Sequence, residues 1–278
     1  MSISNSVNTN AGAMVALQNL NKTNSELQEV QTRINTGMKV AGAKDNGGIF
    51  AIAQRMRSEV SGYSAVQQSL DRGMATTDVA LAAGEAISDL LIEMKEKALA
   101  AGDASLDTAS RSALNEDYKA LRDQIGTIVS NAEFNGVNLI DGSQTDGFIA
   151  LANADGSNSI TVGTENLSLS GTIVTITSTS SFSTATTAAA AASAIGTSLD
   201  NVNNALARLG TKSKALEIHD SFVTKLSDAL ETGIGNLVDA DLAKESARLQ
   251  SLQVKQQLGI QALGIANSAP QSVLSFFQ

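Results

Sequence analysis

The chain has no cysteine and no tryptophan, one proline, two tyrosines and seven phenylalanines. Without cysteine there is neither a disulfide framework nor a thiolate metal site. With few aromatic rings, large core-filling side chains are scarce. The near-absence of proline permits very long helices, because little removes a helical N–H or clashes with the preceding turn. No apolar run approaches the ~20 residues needed to span a bilayer. The first basic residue is Lys22, so the N-terminus lacks the charged and apolar regions of a secretory signal. On these grounds alone the expectation is a soluble, cytoplasmic protein, with no membrane partner.

Positive charge is missing from the middle. The net charge is −9, and no Lys or Arg occurs between Arg122 and Arg208, where Asp123, Glu133, Asp141, Asp146, Asp155, Glu165 and Asp200 stand. Nucleic acid is excluded as a partner, since it requires clustered cations. The more balanced ends suit close packing against copies of themselves. At 278 residues the chain could bury one or two ordinary cores.

What is present is helical periodicity. Leu17, Leu20, Leu27, Ile34 and Met38 recur mostly at heptad steps, with Asn24 and Gln31 at intervening seam positions. This predicts a helix with a narrow apolar stripe. Gly37, Gly42 and Asp45-Asn46-Gly47-Gly48 mark a joint. A second helix is expected from about Ile49 to Asp71, and a third over Val79, Ala83, Ile87, Leu90, Met94, Ala98 and Ala101. A fourth is expected from roughly Ser110 to Ser130.

Phe148–Leu151 and Ile160–Val162 flank Ala154-Asp155-Gly156, which reads as a β-hairpin over about 148–162. More than half of residues 157–187 are Ser or Thr. That composition predicts a surface segment burying little, with a β-rich run at Thr172–Ile176. From Ile195, steps of four and three reach Leu199, Val202, Leu206, Leu209, Ser213, Leu216, Asp220, Val223, Ser227, Leu230, Ile234 and Leu237. Such a helix would be roughly 64 Å long at ~1.5 Å per residue. Gly233 and Gly235 loosen its end. A last stripe follows at Leu242, Leu249, Leu252 and Leu263, with Pro270 expected to stop it.

The first and last stripes are too narrow to stabilise isolated helices. They must pair with each other and with further chains. The expected fold class is therefore mainly α: a long antiparallel helical rod of coiled-coil-like terminal helices plus a helical bundle, with a small β-hairpin region. Residues 1–42 and 235–278 are expected to form the inner terminal-helix domain, and 43–234 the middle domain with a reduced outer segment at about 164–190. The candidate polymerisation interface is Leu17, Leu20, Leu27, Ile34, Leu242, Leu249, Leu252 and Leu263.

Arg33-Ile34-Asn35-Thr36-Gly37-Met38, then Ala43-Lys44-Asp45-Asn46 and Ala51-Ile52-Ala53, resemble the N-terminal signature of bacterial flagellins. Phe134-Asn135-Gly136 matches their internal motif. Asp239-Ala240-Asp241 and Ala266-Asn267-Ser268-Ala269-Pro270-Gln271-Ser272-Val273-Leu274-Ser275 are similar to their C-terminal ones. Departures are Asn46-Gly47-Gly48-Ile49-Phe50 and the Phe276-Phe277-Gln278 end. With its short middle, the chain looks like the alphaproteobacterial kind.

The resemblance implies a structural subunit of the flagellar filament, exported unfolded without a cleaved signal and located extracellularly. Its terminal helices would line the channel, and their order would depend on polymerisation. Partners would be copies of itself, a flagellar export chaperone, and hook-associated junction and cap proteins. The chaperone would meet Val273, Leu274, Phe276 and Phe277. Thr177, Ser178, Thr179, Ser180, Ser181, Ser183 and Thr184 would be candidate O-glycan acceptors. Glu93-Met94-Lys95-Glu96-Lys97-Ala98 falls where recognised flagellins carry their innate-receptor contact. There Glu93 replaces a positive charge and Lys97 an apolar residue, which implies evasion of that receptor; the plainer reading is an exposed Glu93–Lys97 ion pair. A hook–filament junction protein or a secreted coiled-coil adhesin are the alternative functions.

No enzyme and no cofactor is read from the sequence. His219 beside Asp220 lacks the rest of a catalytic set and reads as a solvent-facing or intersubunit pair. Asp239 and Asp241 are too few for a metal and fit a helix start better. Asp45-Asn46-Gly47-Gly48 lacks the Lys-Ser/Thr of a phosphate loop.

Overall fold

The computed structural model describes residues 9–274, with side chains described through residue 268. The elements run α1 (Ala11–Thr36), α2 (Gly47–Ala101), α3 (Thr108–Asn131), β1 (Glu133–Phe134), β2 (Val137–Asn138), β3 (Phe148–Leu151), β4 (Ser159–Val162), α4 (Ala185–Val238) and α5 (Leu242–Leu274). The class is the expected one, mainly α with small antiparallel hairpins. Two compact units divide the chain: Met1–Ser58 with Leu230–Gln278, and Glu59–Ala229.

In the unit of residues 59–229, the long stripe behaves as its periodicity predicts. Ile195, Val202, Leu209, Leu216 and Val223 are buried at exact heptad steps along α4, and the intervening Leu199 and Leu206 pack partly buried against the same core. They meet Leu70, Ile87, Leu91 and Met94 of α2 and Tyr118, Ile125 and Val129 of α3. The start of α3 is capped by Asp107, whose carboxylate accepts from the Ser110 amide at 2.9 Å. Arg111 binds back to the carbonyls of Ala101 and Asp103, each at 2.9 Å, closing the turn after α2.

The expected second and third helices are one. α2 is continuous for 55 residues, because Gly73 does not break it but makes room. A Cβ at Gly73 would lie 2.9 Å from the Phe148 ring and 3.3 Å from a Leu216 methyl. Helix propensity disfavours glycine by about 1 kcal/mol, and close packing of the hairpin residue Phe148 offsets that cost.

Phe134-Asn135-Gly136 forms a hairpin turn that periodicity did not suggest. Asn135 and Gly136 have φ of 49° and 81°, the two positive angles of a type I′ turn, joining β1 to β2. The larger hairpin was legible: β3 pairs with β4 in the register Phe148↔Val162 to Leu151↔Ser159. Gly147 enters it at φ 72°, and a Cβ there would sit 2.0 Å from the Val162 carbonyl oxygen, so no other residue fits.

The Ser/Thr-rich segment corrects its expectation. Leu167, Val174, Ile176 and Phe182 are buried in the main core, so the segment is anchored rather than wholly superficial. Thr172–Ile176 is not a strand. Its backbone is satisfied elsewhere: the Thr175 amide donates to Ser198 Oγ at 3.1 Å, and the Ser170 amide donates to the Ile176 carbonyl at 2.8 Å.

In the unit of residues 1–58 and 230–278, α1 ends as predicted at Gly37, with φ 69°. Pro270 does not end α5, which continues to Leu274. A proline inside a helix vacates one carbonyl, that of the residue four positions earlier. Here that carbonyl, Ala266, accepts a hydrogen bond from the Asn10 side chain at 2.6 Å.

Candidate assembly interface

α1 and α5 pack along one another. Their contacts descend on one helix as they climb on the other. Asn10 reaches Ala266, a Cβ at Gly259 would lie 3.3 Å from Leu20, Gln256 Nε2 donates to Asn24 Oδ1 at 2.7 Å, and Arg33 meets Glu245 at 3.3 Å. The pair is therefore antiparallel.

The candidate interface residues separate into two groups. Leu27, Ile34, Leu249 and Leu252, together with Val30, form the mutual seam of α1 and α5. Leu20 and Leu263 are half-buried, whereas Leu17 and Leu242 are exposed. A heptad stripe satisfies its nearest partner first, and here that partner is in the same chain. The outward apolar residues are different ones. Val254, Leu258 and Ile265 are 56–72% exposed and share a face of α5 opposite Leu252, at i, i+4 and i+11. Met14 is likewise exposed, on the far side of α1 from Val30. Their helical spacing was available in the sequence but was hidden by the stronger leucine repeat.

The polar contacts of the seam were not legible, because they join residues more than two hundred positions apart. Arg33, in the N-terminal motif, pairs with Glu29 one turn away and with Glu245 on α5. Glu245 is buried, and its Oε2 has no hydrogen-bond partner. The seam position Asn24 is polar because it receives Gln256.

The two joints are clamped to each other by backbone. The amides of Lys39 and Val40 donate to the Val238 carbonyl at 2.7 and 3.2 Å, and that of Ala240 to Gly37 at 2.8 Å. Met38 and Asp239 form an isolated antiparallel bridge. Asp45 accepts from the amides of Ala41 and Gly42 at 3.0 and 3.1 Å. Asp241 begins α5, with Oδ1 accepting from the Lys244 amide at 3.1 Å, which is the helix-start role. Both sequence motifs at this joint thus serve backbone geometry. Among the described residues no group of three His, Cys, Asp or Glu could hold a metal ion, and no helix is long and apolar enough to cross a membrane.

Other candidate residues take varied places. Glu93 is exposed and Lys97 half-buried on α2, and no ion pair is formed between them, contrary to the plainer reading. Met94 and Ala98, between and beyond them, are sealed in the core. Thr177, Ser178, Thr179, Ser181, Ser183 and Thr184 are exposed. Ser180 differs: its hydroxyl bonds the Tyr118 hydroxyl at 2.8 Å, and its carbonyl accepts from Arg122 at 2.6 Å. Burial raises the Tyr118 phenol above its usual pKa, partly opposed by the Ser180 bond and the charge of Arg122. His219 is no solvent-facing pair with Asp220. Its Nε2 lies 2.7 Å from the Ala152 carbonyl, tying α4 to the residue that follows β3. Phe276 and Phe277 lie outside the described residues, as do the side chains of Val273 and Leu274.

Comparison with known proteins agrees with this architecture. Residues 7–145 match the bacterial flagellin N-terminal helical region, and residues 192–277 match the bacterial flagellin C-terminal helical region. Flagellin FljK of Caulobacter vibrioides is 57% identical over 274 residues, covering 99% of each chain. A flagellin of Brucella melitensis is 38% identical, covering 98% of this chain and 99% of its own. A solved Vibrio parahaemolyticus structure, described as flagellar hook-associated, aligns with a TM-score of 0.54 over 70% of this chain and 100% of its own. At 17% identity that likeness concerns the fold alone.

Proposed function

The chain belongs to the bacterial flagellin family and is a structural subunit of the flagellar filament, and from that premise we propose that it assembles through the outward faces of the paired α1 and α5. The observation that carries this reading is the division of labour on α5. One face is consumed by α1, while Val254, Leu258 and Ile265 remain exposed on the other. Burying such side chains contributes about 1.5–3 kcal/mol each, which an isolated pair forgoes and a polymer recovers. Leu17 and Leu242 join this outward set. Leu20, Leu27, Ile34, Leu249, Leu252 and Leu263 serve assembly indirectly, by holding the pair together. Residues 1–42 and 235–278 form the inner domain of the filament, and residues 43–234 its middle domain.

The test replaces Val254, Leu258 and Ile265 with Ser together and measures seeded filament growth by electron microscopy and sedimentation. Loss of filaments is expected; growth at the parent's critical concentration would overturn the reading.

Several narrower assignments rest on family resemblance together with placement. The subunit acts as a structural protein without catalytic activity, and it is exported through the flagellar apparatus. Val273, Leu274, Phe276 and Phe277 bind the export chaperone, so Phe276→Ser with Phe277→Ser weakens that complex. The exposed hydroxyls of Thr177, Ser178, Thr179, Ser181, Ser183 and Thr184 accept glycans; Ser180, engaged by Tyr118, does not. Glu93 and Lys97 impair recognition by the innate receptor. Hook-associated junction and cap proteins adjoin the filament ends.

A further inference from the structure

The chain contains one proline, and it lies inside α5. Pro270 has no N–H, so Ala266 is the helical carbonyl whose ladder partner a proline removes. Asn10 supplies the missing donor. Its Nδ2 donates to the Ala266 carbonyl oxygen at 2.6 Å, across 256 positions. At the same time its Oδ1 accepts from the Ala13 amide at 3.0 Å, as the N-cap of α1. One carboxamide thus satisfies an open donor at the start of one helix and an open acceptor near the end of the other. Asp, Ser and Thr all cap helices as well as Asn, but an ionised Asp cannot donate, and Ser and Thr do not carry the carboxamide's separate donor and acceptor ends.

The seam between these helices needs such a mark. Its apolar residues include Leu20, Leu27 and Ile34 at seven-residue steps on α1, and on α5 Leu249 and Leu263, two heptads apart, with Leu252 on the adjacent seam position. A slip by one heptad would separate Asn24 from Gln256 and Arg33 from Glu245, and Asn10 adds a mark of its own at the end of the pair remote from the joint. In a slipped pair Asn10 would face the carbonyl of Gly259 or Val273, neither of which lies four residues before a proline. We propose that Asn10 is a positioning residue, which reads the carbonyl vacated by Pro270 and so helps to fix the register of the terminal helix pair as that pair forms in the filament. This deepens the assembly reading above and rests on it.

The experiment uses the full chain and exploits its lack of cysteine. Leu20→Cys with Gly259→Cys crosslinks the observed register on oxidation, and Leu20→Cys with Ala266→Cys crosslinks a slipped one. In seeded filaments, adding Asn10→Asp keeps the cap but loses the donor. It should shift crosslinking from the first pair toward the second. In the cysteine-free chain, Asn10→Asp should raise the critical concentration by about tenfold, the scale of one lost hydrogen bond. Pro270→Ala returns an N–H to position 270, so Asn10→Asp with Pro270→Ala should polymerise within about twofold of Pro270→Ala alone, well inside the scale of that bond. An unchanged crosslinking pattern, or an Asn10→Asp defect equally large with either residue at 270, would overturn the proposal. A shifted pattern with normal polymerisation would uphold the register role and count against the assembly reading instead.

Discussion

Tyr118, Ile125, Leu139, Ile140, Leu167, Ile195 and Leu209 are sealed from solvent within residues 59–229, whereas the seam of α1 and α5 buries Leu27, Val30 and Leu252. Both regions are built from long helices almost free of proline. The middle unit also draws on two hairpins and an anchored loop, which place side chains such as Phe148, Val162 and Phe182 between its helices. The terminal pair has one helix facing one helix, so about half of each surface stays outward. Burial of apolar surface must exceed the ordering cost of every residue fixed. The middle unit meets that condition with its own chain. On the proposed assembly, the terminal pair would meet it only when further copies cover Val254, Leu258 and Ile265, which are exposed in the single chain.

The largest expected contrast is in protease sensitivity. Limited proteolysis of monomer should trim both ends and leave a resistant core near residues 45–235, because local opening is governed by buried contact density. In filaments the ends should resist. Protected amides throughout α1 and α5 in hydrogen exchange of the free chain would break the comparison.

A matched pair of leucines sharpens it. Leu209→Ala, in the middle core, should lower the stability of free monomer by about 3 kcal/mol, read by thermal or urea unfolding. Leu252→Ala, in the terminal seam, should leave that transition within about 0.5 kcal/mol, the scale of a change outside any independently stable core. It should instead raise the critical concentration on the order of 100-fold. Equal effects of both on monomer unfolding would mean that the terminal pair is as self-sufficient as the middle.

Much of this contrast was legible in the sequence. Strong periodicity survives into structure, so the α4 stripe predicted its buried residues almost position by position, and the large hairpin followed from its turn residues. What was not legible depends on partners distant in sequence. That the helices expected to end near Asp71 and to begin near Val79 are one depends on Gly73, where Phe148 and Leu216 occupy the missing side chain's place. Pro270 reads as a stop until Asn10 takes the vacated carbonyl. Thr172–Ile176 has strand composition, yet among the described residues it pairs with no strand, and its Thr175 amide donates to Ser198 on α4 instead. The leucine repeat located the residues that α1 and α5 bury against each other, while the exposed Val254, Leu258 and Ile265 escaped it.

The charged pair at the seam gives a smaller, asymmetric effect. Arg33→Met leaves the buried Glu245 without its cationic partner. That should weaken polymerisation by about 2–3 kcal/mol, below the cost of breaking a fully buried pair because Arg33 is partly solvated. Glu245→Gln leaves Arg33 paired with Glu29 and relieves the unpartnered Oε2 of its charge, so it should cost less than about 1 kcal/mol. Equal losses would show that the attraction itself, rather than carboxylate burial, dominates.

The smallest effect belongs to Asp220, on the middle part of α4. Its pKa is raised chiefly by burial, then by the charge of Asp71, with His219 acting in the opposite direction. A carboxyl whose folded pKa lies above its unfolded value binds its proton more tightly in the native state. The stability it contributes is therefore full below the unfolded pKa of about 3.9, and is lost as pH rises through the folded value. At neutral pH the ionised Asp220 opposes folding, and Asp220→Asn should raise the melting temperature of the middle unit slightly. The gain should shrink as pH falls toward 4, where the parent carboxyl also becomes neutral. It should also diminish with added salt to the extent that Asp71 contributes, since exposed like charges are screened within a Debye length. Trimming of the terminal segments by protease should be unchanged, because Asp220 belongs to the unit of residues 59–229 and not to the terminal one. Melting curves at pH 7, 5 and 3.5 decide the matter: a gain that persists undiminished at the lowest pH would assign the effect to amide hydrogen bonding and remove the electrostatic account.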